Sequence, residues 1–186
     1  MLCARKANQY VPAGKETGVS TFCVFHPDTG LNAAVFDTKG VRIIPPVKWP
    51  NRLCPEIKAD PKGQSFICAT AHMNIANQAR QSREPVIEEC DAGMLKLVVP
   101  IYMKDEFVGA VSGCGLLLDD GEADAFLVNK ITGMPEERVE ELAEGTGVLS
   151  MNDAEALCRL IQERVQDIVD AYVDAYQDDI GISKGG

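Results

Sequence analysis

The chain has 186 residues, 46% hydrophobic and 25% charged, with a formal net charge of −10 and a sequence pI of about 4.7. That length and composition suit one folded unit, with or without a helical extension, that needs no covalent staples. The acidic balance argues against direct nucleic-acid binding and against an anionic membrane surface, and no apolar run approaches the roughly 20 residues of a membrane span.

The opening Met1-Leu2-Cys3-Ala4-Arg5-Lys6 turns polar at once, so no signal peptide is expected and the cytoplasm is the expected location. The seven cysteines are then expected as thiols, ligands or redox sensors. No two of them form a Cys-x-x-Cys pair, and their odd number speaks against a complete disulfide framework. Residues 1–18, with Pro12, Gly14 and Gly18, read as a loose N-terminal arm.

Ser20–His26 reads as a strand from its β-branched and aromatic content, and Pro27–Gly30 as a turn. Ala33–Phe36 and Val41–Ile44 read as a hairpin whose turn ends in Gly40. Pro45, Pro46 and Pro50 keep the next segment extended or looped. A helix is expected over about 62–83, with Phe66, Ile67, Thr70, Met73, Asn74 and Asn77 as its less polar face. Three closely spaced strands follow at Val86–Cys90, Met94–Met103 and Phe107–Leu118, which implies an antiparallel meander.

Beyond Gly121 the expected elements are helices over about 123–131 and 135–142, with Pro135 in the first turn. The last helix begins near Ser150 or Asn152, with Asp153 or Glu155 completing a capping box. Ala154, Cys158, Ile161, Val165, Ile168 and Tyr172 recur at alternating intervals of four and three, a short heptad seam. Two readings stand for it: a helix packed on its own domain, or a parallel stalk that makes a homodimer.

Several segments, taken in order, resemble the PocR sensory domain, a family of prokaryotic ligand sensors with a PAS-like fold. They are Cys54 at the start of a short helix, Cys68 on the next helix, Glu84–Gly93 as a Pro-Val-Ile segment running into a Cys-x-x-Gly motif, Val99-Pro100-Ile101, and Phe107–Gly115 as a strand ending in a glycine-rich turn. Asp91 stands where the family usually has histidine. The resemblance implies an α+β fold: a PAS-like antiparallel sheet flanked by helices, with a long amphipathic C-terminal helix. It divides the chain into the arm, a sensory domain over 19–148, and a helix and tail over 149–186.

It also implies a small-molecule ligand and places Cys54, Cys68 and Cys90 near one pocket. Asp91, Gly93 and Cys114 complete the expected ligand-binding set. The function expected is sensing in signal transduction or transcriptional regulation, and not catalysis. Neither histidine has an orienting acid beside it, and the acidic pairs Glu88-Glu89 and Asp119-Asp120 are adjacent residues, which does not place them across a cleft.

The alternative rests on residue chemistry. Cys68 and His72 lie four apart on one predicted helix, so both can project from one face. With Cys54 and Cys90 they make a Cys3His set suited to zinc, or to iron, haem or an iron–sulfur cluster in a redox protein. Gly113-Cys114-Gly115 lacks the other glycines of a nucleotide loop and reads as a bulge or tight bend.

Overall fold

The computed structural model describes residues 30–44 and 49–176. The N-terminal arm, the Ser20–His26 strand with Cys23 and His26, and the end of the C-terminal tail lie outside the described residues.

Strand β1 (Asn32–Phe36) is the first strand among the described residues. The turn after it forms as expected: the Asp37 side chain accepts from the backbone N–H groups of Lys39 and Val41, and Gly40 takes φ +75°. The return arm of that hairpin does not form a strand, because only Phe36 and Arg42 bridge. Helix α1 (Leu53–Ala59), a π-helical segment (Gly63–Ala69) and α2 (Thr70–Ser82) follow. Strands β2 (Val86–Glu89), β3 (Leu95–Met103) and β4 (Glu106–Cys114) then make the meander. β1 adds to its β4 edge, so the sheet order is β1-β4-β3-β2, all antiparallel.

The expected third strand of the meander stops four residues early. Gly115 turns to φ +100° and packs so closely on Pro50 that a Cβ would lie 2.4 Å from the proline ring. Beyond this bend, β5 (Leu117–Leu118) leaves the main sheet and pairs in parallel with β6 (Val148–Leu149). Between them lie α3 (Ala125–Thr132), capped by Asp124, and α4 (Glu136–Ala143), for which Pro135 sits at the N-cap position. Helix α5 (Met151–Ala175) begins at Ser150, whose Oγ accepts from the Asp153 N–H and donates to its carboxylate.

Strand alternation sets the layers. Leu95, Leu97 and Val99 of β3, with Ala33 and Val111, face α5 and pack on Leu157, Cys158, Ile161 and Val165. Val98 and Ala110 face the other way, onto Ile75 and Ala79 of α2. A second core joins Leu53 and Ile57 of α1 to Ile67, Met94, Val128, Val139 and Leu142. The first four seam residues of α5 are therefore buried against the chain's own sheet, and Tyr172 is exposed. Leu97 has no solvent exposure. Leu97→Ala is expected to cost about 3 kcal/mol, read as a lower urea midpoint at unchanged slope.

The helix over 62–83 is present, but its buried face differs from the expected one. Phe66, Met73, Asn74 and Asn77 are exposed, whereas Ile67, His72, Ile75 and Ala79 are buried. The π-wound start is the reason. It bonds each turn one residue further along than an α-helix does, which rotates the residues that follow. The architecture as a whole is α+β and PAS-like, with the long C-terminal helix on one face of the sheet.

Candidate functional site

On the α2 side of the sheet one cross-strand row is polar. Asn32 of β1 pairs with Cys114 of β4, which pairs with Lys96 of β3. Lys96 and Asn32 are buried, and Cys114 is half-buried. By alternation all three point away from α5. Two rows along, Phe36 carries the His72 ring stacked at 3.6 Å between centroids, and the guanidinium of Arg42 lies 5.4 Å from the Phe36 ring centre.

Hydrogen bonding in this region is incomplete. Nδ1 and Nε2 of His72, Nη1 of Arg42 and Oδ1 of Asn32 are all buried without a partner. Each unmet polar group costs about 1–3 kcal/mol, so their gathering in one region calls for an explanation.

The electrostatics tie the region together. His72 is pushed down to about 3, by burial first and then by the positive charges of Lys96, Arg42 and Lys58. Burial lowers Arg42 and Lys58, against the opposing influence of Cys68 and Cys114. Burial also raises the Cys54, Cys68 and Cys90 thiols. Cys54 feels Cys114, Cys90 and Cys68, and Cys68 feels Lys58, Lys96, Cys114 and Arg42.

Arg42, Lys58 and Lys96 are the basic residues whose charges act on Cys68, while Cys54, Cys68, Cys90 and Cys114 influence one another's thiols. Asn51 ties Cys54 to Gly115. The side chain donates to the Gly115 carbonyl at 2.6 Å and to Cys54 Sγ at 3.3 Å, and accepts from the Cys54 N–H at 2.7 Å.

Two of the expected ligand-binding residues lie elsewhere. Asp91 is exposed on the β2–β3 turn. Gly93 makes that turn at φ +72° and presses on the backbone of Glu122. The proposed metal set is not assembled either: among the described residues, no three His, Cys, Asp or Glu side chains are grouped to hold an ion. The reason is local. Cys54, Cys68 and Cys90 pack on the α1–α3–α4 core, while the His72 ring is drawn to Phe36 across the junction between the π and α segments.

Arg42, Lys58, Lys96, Asn32 and Asn51 were not singled out by sequence. Only Lys96 carried a signal there. It is the one charged residue in the run Met94–Ile101, at an alternate position otherwise filled by Met94, Val98 and Pro100.

The raised thiols make a direct prediction. At neutral pH, iodoacetamide is expected to label Cys54, Cys68 and Cys90 slowly in the native protein and quickly in urea, because the thiolate is the reactive form. Cys158, pushed up to about 11 mainly by burial, follows the same pattern. Peptide mapping by mass spectrometry resolves each site. Equal native and denatured rates would contradict the burial.

The family model described as the sensory domain found in PocR matches residues 22–172. No curated protein and no solved structure matches the chain.

Proposed function

The chain belongs to the PocR sensory-domain family, and from that premise we propose that it senses a small molecule held at the polar interior site between α1, α2 and the sheet. One observation carries the reading: buried His72 and Asn32 and half-buried Arg42 hold buried hydrogen-bonding atoms that meet no partner. A ligand that met them would lower the energy of the arrangement it fits. It would then shift the balance between two arrangements by its differential affinity. Helix α5 lies on the opposite face of the same sheet, packed on β3, and is the proposed output element.

In this reading the unit spanning 19–148 receives the ligand and 149–186 transmits the signal, by pairing two copies. The supporting feature is the far end of α5, where the tilted rings of Tyr172 and Tyr176 lie 4.8 Å apart yet remain exposed. The output is transcriptional regulation or signal transduction. A cytoplasmic setting fits the five unpaired cysteines among the described residues. No described helix is long and apolar enough to cross a membrane.

The test is a thermal-shift screen of small alcohols, diols and carboxylates, followed by hydrogen exchange with the best responder. A ligand at about 100 times its Kd stabilises by about 2.7 kcal/mol. Protection is expected to rise in α1 and α2 and to change in α5. Should no compound raise the melting temperature, or α5 exchange identically with and without ligand, the sensory reading of this site fails. Light scattering of Tyr172→Glu/Tyr176→Glu is expected to give a monomer where the parent protein is a dimer.

A further inference from the structure

The helix over 62–83 is fixed at both ends and holds a surplus residue between them. At its start, Gly63 donates its N–H to the Asp60 carboxylate at 2.7 Å and presses so closely on the Ile57 carbonyl that no side chain fits there. At its finish, Ile75 and Ala79 are buried with Val98 and Ala110 of the sheet, and Arg83 closes the helix in the left-handed conformation at φ +63°. The surplus is taken up by the π winding of Gly63–Ala69, where the Thr70 N–H reaches back five residues to the Ser65 carbonyl.

Where the surplus sits decides which side chains face the sheet. In its present place, His72 is buried with Nδ1 and Nε2 meeting no partner among the described residues, while Phe66 is 59% exposed. A polar ring lies inside and a large apolar ring outside on the same short stretch of helix, the reverse of what burial favours. Two contacts hold this placement. The His72 ring stacks on Phe36 at 3.6 Å, and the Thr70 hydroxyl donates to the Ser65 carbonyl at 3.0 Å. Favourable and unfavourable terms thus oppose one another within a few side chains.

We propose that the π winding is a movable element, which passes along the helix from Gly63–Ala69 to about residues 70–76 and so exchanges His72 for Ala71 beside Phe36. Each residue of an α-helix turns the chain by about 100°. Residues left behind by the moving winding regain that turn and advance by up to one place. Ala71, now half-buried, turns into the buried place of His72, and His72 turns out toward the exposed place of Met73. Phe66, inside the present π segment, turns part of the way toward the buried place of Ile67. Gly63 and Ala79 stay where they are. The wall facing Phe36 changes from an imidazole to a methyl group, and a molecule or partner that prefers one wall draws the helix to that winding by its differential affinity. Both windings belong to the bare chain, so this goes beyond the sensory reading and does not rest on it.

The experiment is amide nitrogen relaxation dispersion on the full chain at pH 7, which reads exchange on the microsecond-to-millisecond scale. Exchange is expected at the amides of Phe66–Met73, with flat profiles at Leu53–Ala59 and Ala79–Ser82. Two substitutions at exposed positions move the balance in opposite senses. Thr70→Val removes the hydroxyl that holds the present winding and is expected to enlarge the minor population by roughly 3- to 10-fold. Phe66→Ser removes the apolar ring that turns inward and is expected to shrink it by a similar factor.

Flat profiles throughout Phe66–Met73 would overturn the movable winding. So would exchange that runs evenly on to Ser82, which is the mark of a whole helix fraying. A minor population that both substitutions leave unchanged, or shift in the same sense, would overturn it as well, since simple local opening does not distinguish a residue that holds one winding from a residue that favours the other.

Discussion

Acidifying the protein from pH 7 to pH 5 is expected to remove about 2 kcal/mol of stability through His72 alone. Its imidazole is buried, stacked on Phe36, and under the positive charges of Lys96, Arg42 and Lys58. Burial and those charges hold its folded-state value near 3, against 6.5 for the free side chain. Between those values the unfolded chain binds a proton that the folded chain does not. Stability therefore rises with pH across that window. The contribution is complete above pH 6.5, falls as the pH drops below it, and is spent near pH 3, where the total approaches 5 kcal/mol.

The measurement is urea unfolding at pH 5, 6 and 7 in carboxylate- and phosphate-free buffers, for the parent protein and for His72→Phe. The variant keeps the ring stack and removes both unpartnered nitrogens. It is expected to lose this part of the pH slope and to be more stable than the parent at pH 5. If the two proteins differ by the same amount at all three pH values, His72 is not held neutral.

Gly93→Ala is expected to destabilise by about 3 kcal/mol or more, a cost assembled from two sources. The first is the left-handed backbone at φ +72°, which costs a residue with a Cβ about 1–2 kcal/mol. The second is the collision of that Cβ with the Glu122 carbonyl oxygen, 2.0 Å away, and with the Asp124 nitrogen at 3.0 Å. Both are backbone atoms, so no rotamer change relieves the contact. Asp124 caps α3 through the Leu127 N–H and donates its own N–H to the Ala92 carbonyl. The damage would therefore spread from the turn beside Cys90 into α3.

Gly133→Ala is the control. It sits at φ +79° with nothing within 4 Å of the added carbon, so it carries the backbone cost alone. In urea the two variants are expected to separate by at least about 1 kcal/mol. Equal midpoints would show that Glu122 can move aside and that the turn does not depend on glycine.

Most elements were legible in the sequence because local forces suffice to set them. The meander from Val86 to Cys114 follows from alternation and short turns, and the start of α5 from the reach of the Ser150 hydroxyl to Asp153. The errors lie where distant residues intervene. The strand expected to run through Leu118 ends at Gly115 because Pro50, far off along the chain, leaves no room for a side chain there. The apolar face of the helix over 62–83 was misplaced because a π-wound start has no signature in three- and four-residue spacing.

Cys54, Cys68, Cys90 and Cys114 were expected from the ordered family motifs, but the metal set built on Cys68 and His72 is not assembled among the described residues. A shared helical face is a statement about one helix, whereas a shared ion requires groups from several elements to meet. By itself the sequence determined the meander of β2–β4, the helix over 62–83, the helices beyond Gly121 and the amphipathic C-terminal helix, which follow from periodicity and capping over a few residues, while the PAS-like α+β class came from the resemblance to the PocR family. Only the tertiary structure decided that His72 and Arg42 meet at the Phe36 ring, and that α5 spends the first half of its seam on its own sheet. Burial and charge convergence depend on contacts between residues tens of positions apart, and neither composition nor spacing encodes which of those contacts form.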